Sequence, residues 1–234
     1  MKDIPIVDAV VEFHFEGNIP PQVMVGLMYS KLDKEIFKIE DQPILQLPAE
    51  VRQNDPNLKT QPIYKLVGDK YVVSVGDGII GVSIIVDGHD RIYRGWDTFM
   101  LFINKVLKFI NEFTVTPQVD TAEVRFISLF EDEGIFDKTN IKVTLNNKNI
   151  QDLKTTTVFF EESKDNIKLK TQLAGKATVK SPYLELKGSV IDISAKTDQP
   201  VGIGDLSQTI NLLHDEVKSK IKSVLREAYQ PKEI

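Results

Sequence analysis

The apolar residues of one stretch near the middle of the chain repeat with the period of an α-helix. From residue 95 to residue 113 they are separated alternately by three and four positions, which is the spacing of a single buried helix face. They are Trp96, Phe99, Ile103, Val106, Ile110 and Phe113. The sequence therefore predicts one long amphipathic helix here, whose apolar face needs a sheet or another helix to cover it.

The segments before this helix alternate apolar and polar residues, which is the pattern of strands with one buried face. We predict such strands at residues 6–16, 63–67, 70–75 and 79–86, and a short strand at residues 44–47 is an open alternative. The dipeptide Asp77-Gly78 predicts a hairpin turn between the last two strands. Residues 23–37 have a helical pattern, and its apolar positions are Val23, Leu27, Met28, Leu32 and Ile36.

The second half of the chain repeats this order of elements in a looser form. Strands are predicted at residues 120–131, 141–145, 155–161, 167–173 and 184–194. A second amphipathic helix follows, in which Asp205 and Gln208 have the spacing of a capping box. Its apolar face comprises Leu206, Ile210, Leu213, Val217, Ile221, Val224 and Ala228. The early helix of the first half is either lost here or reduced to a turn near Ile135.

These elements indicate an α+β fold in which one antiparallel sheet, or two similar sheets, carries long helices on one face. The two halves, residues 1–116 and 117–234, are expected to form one compact unit. Their similar order of elements resembles a duplicated β-α-β4-α unit, as in the TATA-binding-protein-like arrangement. Two helix-covered sheets that pack separately are the alternative architecture.

The composition is that of a globular protein able to bury a core, since 41% of the 234 residues are hydrophobic and 27% are charged. No apolar run approaches the roughly 20 residues of a membrane span, and the opening residues lack the pattern of a signal peptide. The chain contains no cysteine, which excludes disulfide bonds and thiolate chemistry. We therefore predict a cytoplasmic protein without membrane contact.

Charge is distributed unevenly along the chain, whose net charge is -5. Residues 1–137 contain 13 basic and 22 acidic residues, whereas residues 138–196 contain 11 lysines and 6 acidic residues. The overall acidic balance argues against general nucleic-acid binding. The lysines of the second segment either are solvated on strand faces or form a surface for an acidic partner. Candidates for that surface are Lys168, Lys170, Lys176 and Lys180.

Residues 76–81 have the G-x-G-x-x-G spacing of a dinucleotide fingerprint. That fingerprint requires a helix immediately afterwards, because the helix N-terminus receives the pyrophosphate. The residues that follow here, VSIIV, predict a strand, so we interpret the glycines as part of a hairpin. The histidines His14, His89 and His214 lack the spacing of a helical metal pair, and the sequence contains no G-x-S-x-G, H-E-x-x-H or Walker motif. No catalytic residue, metal or cofactor is therefore predicted.

Two further polar segments are candidates for binding. The long connection between residues 39 and 62 contains Arg52 and Asp55, which we expect either to pair with each other at the surface or to contact a ligand. Arg94 is the other candidate, because it precedes Trp96, the only tryptophan. Trp96 is expected to lie in the core, and ligand stacking is the alternative.

Several stretches together resemble a sporadically distributed family of uncharacterised bacterial proteins of similar length. In chain order they are PIVDAVVEFHF, LPAEVRQNDPNLKTQPIYKL, VGDGIIGVSIIV, YRGWDTFMLFINKVL, VRFISLFE, GSVIDISA and LLHDEVKSKIKSVLREAY. The resemblance covers nearly the whole chain and implies no activity or cofactor, but the scattered distribution of the family implies an accessory role in a mobile or defence-type locus. Members often carry an arginine-rich strand ending in Tyr-Ile-Asn where this chain reads VRFISLF, and only Arg125 and Ile127 match that pattern.

The sequence favours a non-enzymatic binding protein that acts through protein contacts. Helices on one face of a sheet leave the other face and the sheet edges exposed, and exposed edges pair readily with other strands. A protein partner is therefore expected, and a homodimer is one form of it. The alternative is a weak nucleic-acid or nucleotide-binding protein that uses the lysines of residues 138–196. An enzyme is the third hypothesis.

Overall fold

The computed structural model of the chain describes residues 6–15, 19–85, 93–113, 118–131, 134–149, 156–181 and 184–230. These residues form thirteen strands and five α-helices. Nine of the strands belong to one antiparallel sheet. The α+β class predicted from the sequence is therefore confirmed, and a single large sheet replaces the alternative of two separate ones.

The strands are numbered in chain order. Those of the large sheet are β1 (Ile6–His14), β2 (Lys38–Asp41), β3 (Pro62–Val67), β4 (Tyr71–Gly76), β5 (Ile79–Ile84), β7 (Thr121–Phe130), β10 (Thr157–Lys164), β11 (Ile167–Ser181) and β12 (Leu184–Thr197). The remaining four are short, and they pair β6 (Gln118–Val119) with β13 (Val201–Gly202) and β8 (Thr144–Leu145) with β9 (Lys148–Asn149).

The order of strands across the large sheet is β10-β11-β12-β7-β1-β5-β4-β3-β2. The first long strand of each half, β1 or β7, lies at the centre, and the two pair with each other. Each also pairs with the last long strand of its own half, β5 or β12, and the other strands follow outward in reverse chain order. The two halves thus share one sheet, and the TATA-binding-protein-like arrangement stays a prediction.

The helices are α1 (Pro21–Lys31), α2 (Ala49–Asn54), α3 (Trp96–Phe113), α4 (Ile135–Lys138) and α5 (Leu206–Val224). Both long helices lie where the periodicity predicted them, and α4 is the short element expected near Ile135. The apolar face predicted for α5 is one residue too long, because α5 ends at Val224, and Ala228 lies exposed in a 3-10 turn beyond it. On α3 the residues Trp96, Phe99, Ile103, Val106 and Ile110 are each at most 7% exposed; the side chain of Phe113 lies outside the described part. None of the helices in the described ranges combines the length and apolar character needed to cross a membrane.

The main core lies between one face of the sheet and the helices. Alternation along β1 buries Ala9, Val11 and Phe13 completely on this face, and α5 packs on β7 and β12 while α1 packs on β3 and β4. Aromatic contacts attach α3 to the sheet, since Phe99 stacks on Tyr71 at 5.9 Å between ring centroids. The predicted placement of the long helices on one face is therefore confirmed, and we call the opposite side the open face.

The buried side of α1 differs from the prediction. The helix buries Met24, Val25 and Met28, whereas Val23 and Ile36 are 50% and 41% exposed. The helix ends at Lys31, so it never reaches Ile36. Its sequence is apolar on nearly every side, and spacing alone therefore does not determine which side faces the sheet.

Three smaller predictions are also corrected. Residues 44–47 do not form a strand, because Pro43–Gln46 is a 3-10 turn, and β2 lies upstream. The strand predicted at residues 141–145 shrinks to β8, which turns through Asn146 and Asn147 at φ values of +49° and +62°. Asp205 makes no side-chain capping hydrogen bond, so the predicted capping box is not formed.

Candidate functional site

Arg94 lies at the N-terminal end of α3, beside two neighbouring depressions in the surface. Gly95 turns the chain into the helix at a φ of +87°, a conformation that glycine adopts without steric cost. The first depression, of about 170 Å³, lies between β4, β5 and α3 and includes Tyr71 and Tyr93. The second, of about 510 Å³, lies between α3 and α5. Arg94 borders both, so it lies where a small ligand has room to bind.

Trp96 belongs to the core, as expected, since it is 7% exposed and one face of its ring is covered. It lies parallel to the ring of His214 at 4.0 Å between centroids. Its indole nitrogen Nε1 donates a hydrogen bond of 2.7 Å to Oδ1 of Asn211. Both partners are on α5, so Trp96 attaches the start of α3 to the middle of α5.

The imidazole of His214 is held neutral by its surroundings. Burial lowers the pKa of His214 from 6.5 to about 4, and the charge of Lys218 acts in the same direction while the Asp215 carboxylate opposes it. In the unfolded chain the same ring takes up a proton near pH 6.5. Between these two pH values the unfolded state binds more protons than the folded state, so acidification destabilises the fold.

We therefore expect the substitution His214→Phe to flatten the acid side of the stability profile. The wild-type protein should lose about 3 kcal/mol of unfolding free energy relative to this variant between pH 7 and pH 4, which is the amount that the pKa difference represents. Phenylalanine keeps a ring against Trp96, so both proteins can be compared by denaturant unfolding at each pH. Parallel pH profiles for the two proteins would contradict the assignment.

Tyr93 borders the first depression with a polar atom that the described residues leave without a partner. Its hydroxyl is buried and has no hydrogen bond within the described ranges, and its ring contacts Phe126 edge-on at 5.5 Å. Burial, together with the nearby charge of Asp97, raises the pKa of Tyr93. Tyr93 thus remains a neutral phenol beside Arg94.

Lys168 and Lys170 project from β11 on the open face, while Ile167, Leu169 and Leu173 are buried on the other face. Each lysine has an acidic neighbour. The Nζ atom of Lys168 lies 2.8 Å from Oδ1 of Asp198, and that of Lys170 lies 3.8 Å from Oε2 of Glu161. The hydrogen bond to Asp198 raises the pKa of Lys168. These positive charges are thus compensated within the chain.

Of the other two candidate lysines, Lys176 does not extend this pair into a regular row. The register of β11 and β12 shifts between Ala174 and Ala177, and Lys176 lies exposed within this irregularity. Lys180 belongs to β11, but its side chain lies outside the described part of the structure. Among the candidate lysines whose side chains are described, the structure therefore brings together Lys168 and Lys170.

The prediction that Arg52 pairs with Asp55 is wrong. Arg52 lies on α2 and is buried, with its Nε atom 3.1 Å from Oδ2 of Asp77 and its Nη1 atom donating a hydrogen bond of 2.6 Å to the Leu47 carbonyl. Asp55 follows the helix and accepts a hydrogen bond of 2.8 Å from the backbone N–H of Asn57 instead. The residues between 49 and 54 form a helix rather than a loop, and Arg52 joins it to the β4–β5 hairpin.

The glycine motif at residues 76–81 is the predicted hairpin. Asp77 and Gly78 connect β4 to β5, and a strand follows the last glycine. Because a helix N-terminus is missing at this position, the motif lacks the element that binds a pyrophosphate.

The open face also carries a charge pair that the sequence did not reveal. The guanidinium of Arg125 on β7 donates hydrogen bonds of 2.8 and 2.5 Å to the two carboxylate oxygens of Asp192 on β12. Asp8 on β1 lies near this pair, and burial raises its pKa to about 6, although the charge of Arg125 opposes the shift. The pair borders a depression of about 230 Å³ that extends to Phe159.

Phe159 is the exposed aromatic residue of this region, with 60% of its surface accessible. It lies opposite Gln172 in the register of β10 and β11, two residues from the Glu161–Lys170 pair, which places it on the open face. β10 is an edge strand of eight residues. Phe159 was not among the residues predicted to bind a partner, although its alternation with Thr157 and Glu161 along β10 placed all three on one face.

The chain was compared with known proteins in three ways. No protein-family model matches it, and no curated protein matches it. Among solved structures, one described as "KH domains" is similar at 8% sequence identity and a TM-score of 0.21, and the match covers 97% of this chain and 66% of that chain. A similarity of this size carries no argument about fold or function, so the functional conclusions depend on the geometry of the chain itself.

Proposed function

We propose that this chain is a non-enzymatic binding protein whose protein partner adds a strand to β10 and packs an apolar side chain against Phe159. The observation that carries the proposal is the exposed aromatic ring on an edge strand. In binding of this type, backbone hydrogen bonds to the edge supply affinity, and pockets for alternate side chains supply specificity. The depression between Phe159 and the Arg125–Asp192 pair is such a pocket.

A contrast between the two edges of the sheet supports this choice. β2 is an edge of four residues with the sequence Lys-Ile-Glu-Asp, and short length and charge are the means by which proteins prevent unwanted pairing. β10 is twice as long, and among the described strands it pairs only with β11. The edge that carries Phe159 is therefore the one less protected against pairing.

The charge distribution favours a protein over a nucleic acid as the partner. Lys168 and Lys170, the lysines best placed on the open face, each have an acidic neighbour within 4 Å, and the chain as a whole has a net charge of -5. Nucleic-acid affinity comes largely from cations that neutralise phosphates. Lysines whose charge is already compensated by a neighbouring acid contribute little to this affinity.

The test compares two lysine substitutions at exposed apolar positions. Phe159→Lys should weaken the capture of a specific partner from the native host at least tenfold, because it places a charge where an apolar side chain would pack. Leu101→Lys is the matched control, since Leu101 is 74% exposed on α3, on the other side of the sheet. It should leave capture unchanged, and both variants should melt like the wild type. Light scattering of the purified protein shows whether the partner is a second copy.

Two results would overturn the proposal. One is a partner bound equally well by the wild type and by Phe159→Lys. The other is tight binding of labelled DNA or RNA at about 0.15 M salt that disappears when Lys168 and Lys170 are replaced by glutamate. That second result would establish the nucleic-acid alternative in its place.

The resemblance to the sporadically distributed bacterial family supports one more part of the proposal, an accessory role in a mobile or defence-type locus. The cheapest test is the gene neighbourhood. An adjacent toxin or nuclease gene would support this role, and a neighbourhood of housekeeping genes would contradict it.

A further inference from the structure

Four polar side chains meet on the open face where β1 and β7 pair at the centre of the sheet. In the register of these strands Glu12 lies opposite Glu123, and His14 lies opposite Thr121. Residues two positions apart on a strand point to the same face. The pairing of the two halves therefore places these four side chains at the corners of one small square.

Three of these side chains have the geometry of metal ligands. Glu12, His14 and Glu123 each offer a ligand atom within 4.8 Å of the others, and the Nε2 atom of His14 lies 3.6 Å from Oε2 of Glu12. Two atoms that bind one tetrahedral zinc ion at about 2.1 Å each lie about 3.4 Å apart. Small side-chain rotations from the observed positions are thus enough to enclose an ion.

The square contains polar atoms that the described residues leave unsatisfied. Nε2 of His14 and Oγ1 of Thr121 are buried and have no hydrogen-bond partner among them, and the His14 side chain is only 16% exposed. Unsatisfied buried polar atoms are costly. Two carboxylates directly opposite each other on paired strands also repel. A cation bound between them would remove both costs.

The neighbouring basic side chains do not neutralise these two carboxylates. Lys196 lies across from Glu123 on β12, but among the described residues no ion pair joins the two. Arg125 lies two positions along β7 and interacts with Glu123 electrostatically, yet its Nε and Nη2 atoms donate to Asp192. On the other side of Glu12, the facing residue of β5 is Gly81, which adds no side chain.

We propose that Glu12, His14 and Glu123 bind one Zn²⁺ ion and that the Thr121 hydroxyl accepts a hydrogen bond from a water molecule on the fourth position. An imidazole nitrogen with two carboxylates suits Zn²⁺ better than Mg²⁺ or Ca²⁺, which prefer ligand sets made of oxygen. Three protein ligands with one open position are typical of zinc sites that exchange water. The ion would join the two halves of the chain at their central strand pair, independently of any partner on β10.

The test is a calorimetric titration of the full chain, without a histidine tag, with Zn²⁺ alone. We expect one ion per chain, an increase in melting temperature on binding, and at least tenfold weaker binding of Mg²⁺ and Ca²⁺. His14→Gln and Glu123→Gln should each weaken Zn²⁺ binding at least tenfold. Glu40→Gln is the control, because Glu40 is an exposed acid on β2 outside the site, and it should bind Zn²⁺ like the wild type.

A measurement without metal separates loss of the site from loss of the fold. In the absence of Zn²⁺, Glu123→Gln should melt at the same temperature as the wild type or higher, because it removes the repulsion from Glu12. The proposal is overturned if the wild type binds no Zn²⁺, if the variants bind it as tightly as the wild type, or if Mg²⁺ binds equally well.

Discussion

Replacing Phe99 with alanine is expected to lower the free energy of unfolding by about 3–5 kcal/mol. Phe99 is buried on the sheet side of α3, and its ring centroid lies 5.9 Å from that of Tyr71 and 6.0 Å from that of Trp96. The substitution removes this apolar contact area and leaves a cavity between the helix and β4. Both effects act on the folded state.

Denaturant unfolding at neutral pH measures this loss directly. Leu101→Ala is the internal control, because Leu101 lies on the same helix but is exposed, and a surface change of this kind is expected to alter stability by no more than about 0.5 kcal/mol. A loss below about 1 kcal/mol for Phe99→Ala would show that the apolar face of α3 is not part of the core.

Removing the carboxylate of Asp77 should be equally damaging, with an expected loss of about 3–5 kcal/mol for Asp77→Ala. The side chains of Arg52 and Asp77 are only 6% and 8% exposed, and their closest charged atoms are 3.1 Å apart. Without Asp77 the guanidinium of Arg52 stays buried without its counter-charge. The Leu47 carbonyl satisfies only part of its hydrogen-bonding capacity.

The double substitution Arg52→Met with Asp77→Ala distinguishes a buried charge from ordinary lost packing. Because the pair costs desolvation energy as well as gaining attraction, removing both charges should recover most of the stability lost in Asp77→Ala alone. Urea melts of the two single variants and the double variant give the coupling energy. Losses that simply add would contradict the role assigned to this ion pair.

The parts of the fold that depend on local periodicity were predictable from the sequence. α3 and α5 each have one apolar side, and that side is the one that faces the sheet. The position of α1 in the chain was predicted correctly, but the predicted buried side of the helix was wrong. The run Val-Met-Val-Gly-Leu-Met has no polar side that would define the orientation of the helix. β11 and β12 were found, but β11 extends well past its predicted end, to Ser181, and β12 slightly past its own, to Thr197.

The candidate sites depended on something that periodicity does not contain, the register between distant strands. Arg52 and Asp77 are 25 positions apart, and Arg125 and Asp192 are 67 apart. Asp55, by contrast, is near Arg52 in the sequence, which made it the obvious but wrong partner. The candidate lysines depended on register in the same way, because the acids that compensate Lys168 and Lys170 come from the end of β12 and from β10.

The position of β1 at the centre of the sheet has a consequence for how the chain folds during synthesis. β1 can pair with β5 once the chain has been translated beyond Ile84. The other edge of β1 stays unpaired until β7 has been synthesised, and β7 ends 46 residues later at Phe130. At about 5–20 residues per second this wait lasts roughly 2–9 s on the ribosome. During that interval β1, which has one apolar face, is a temporary edge, so the nascent chain is most prone to aggregate just before β7 emerges from the exit tunnel.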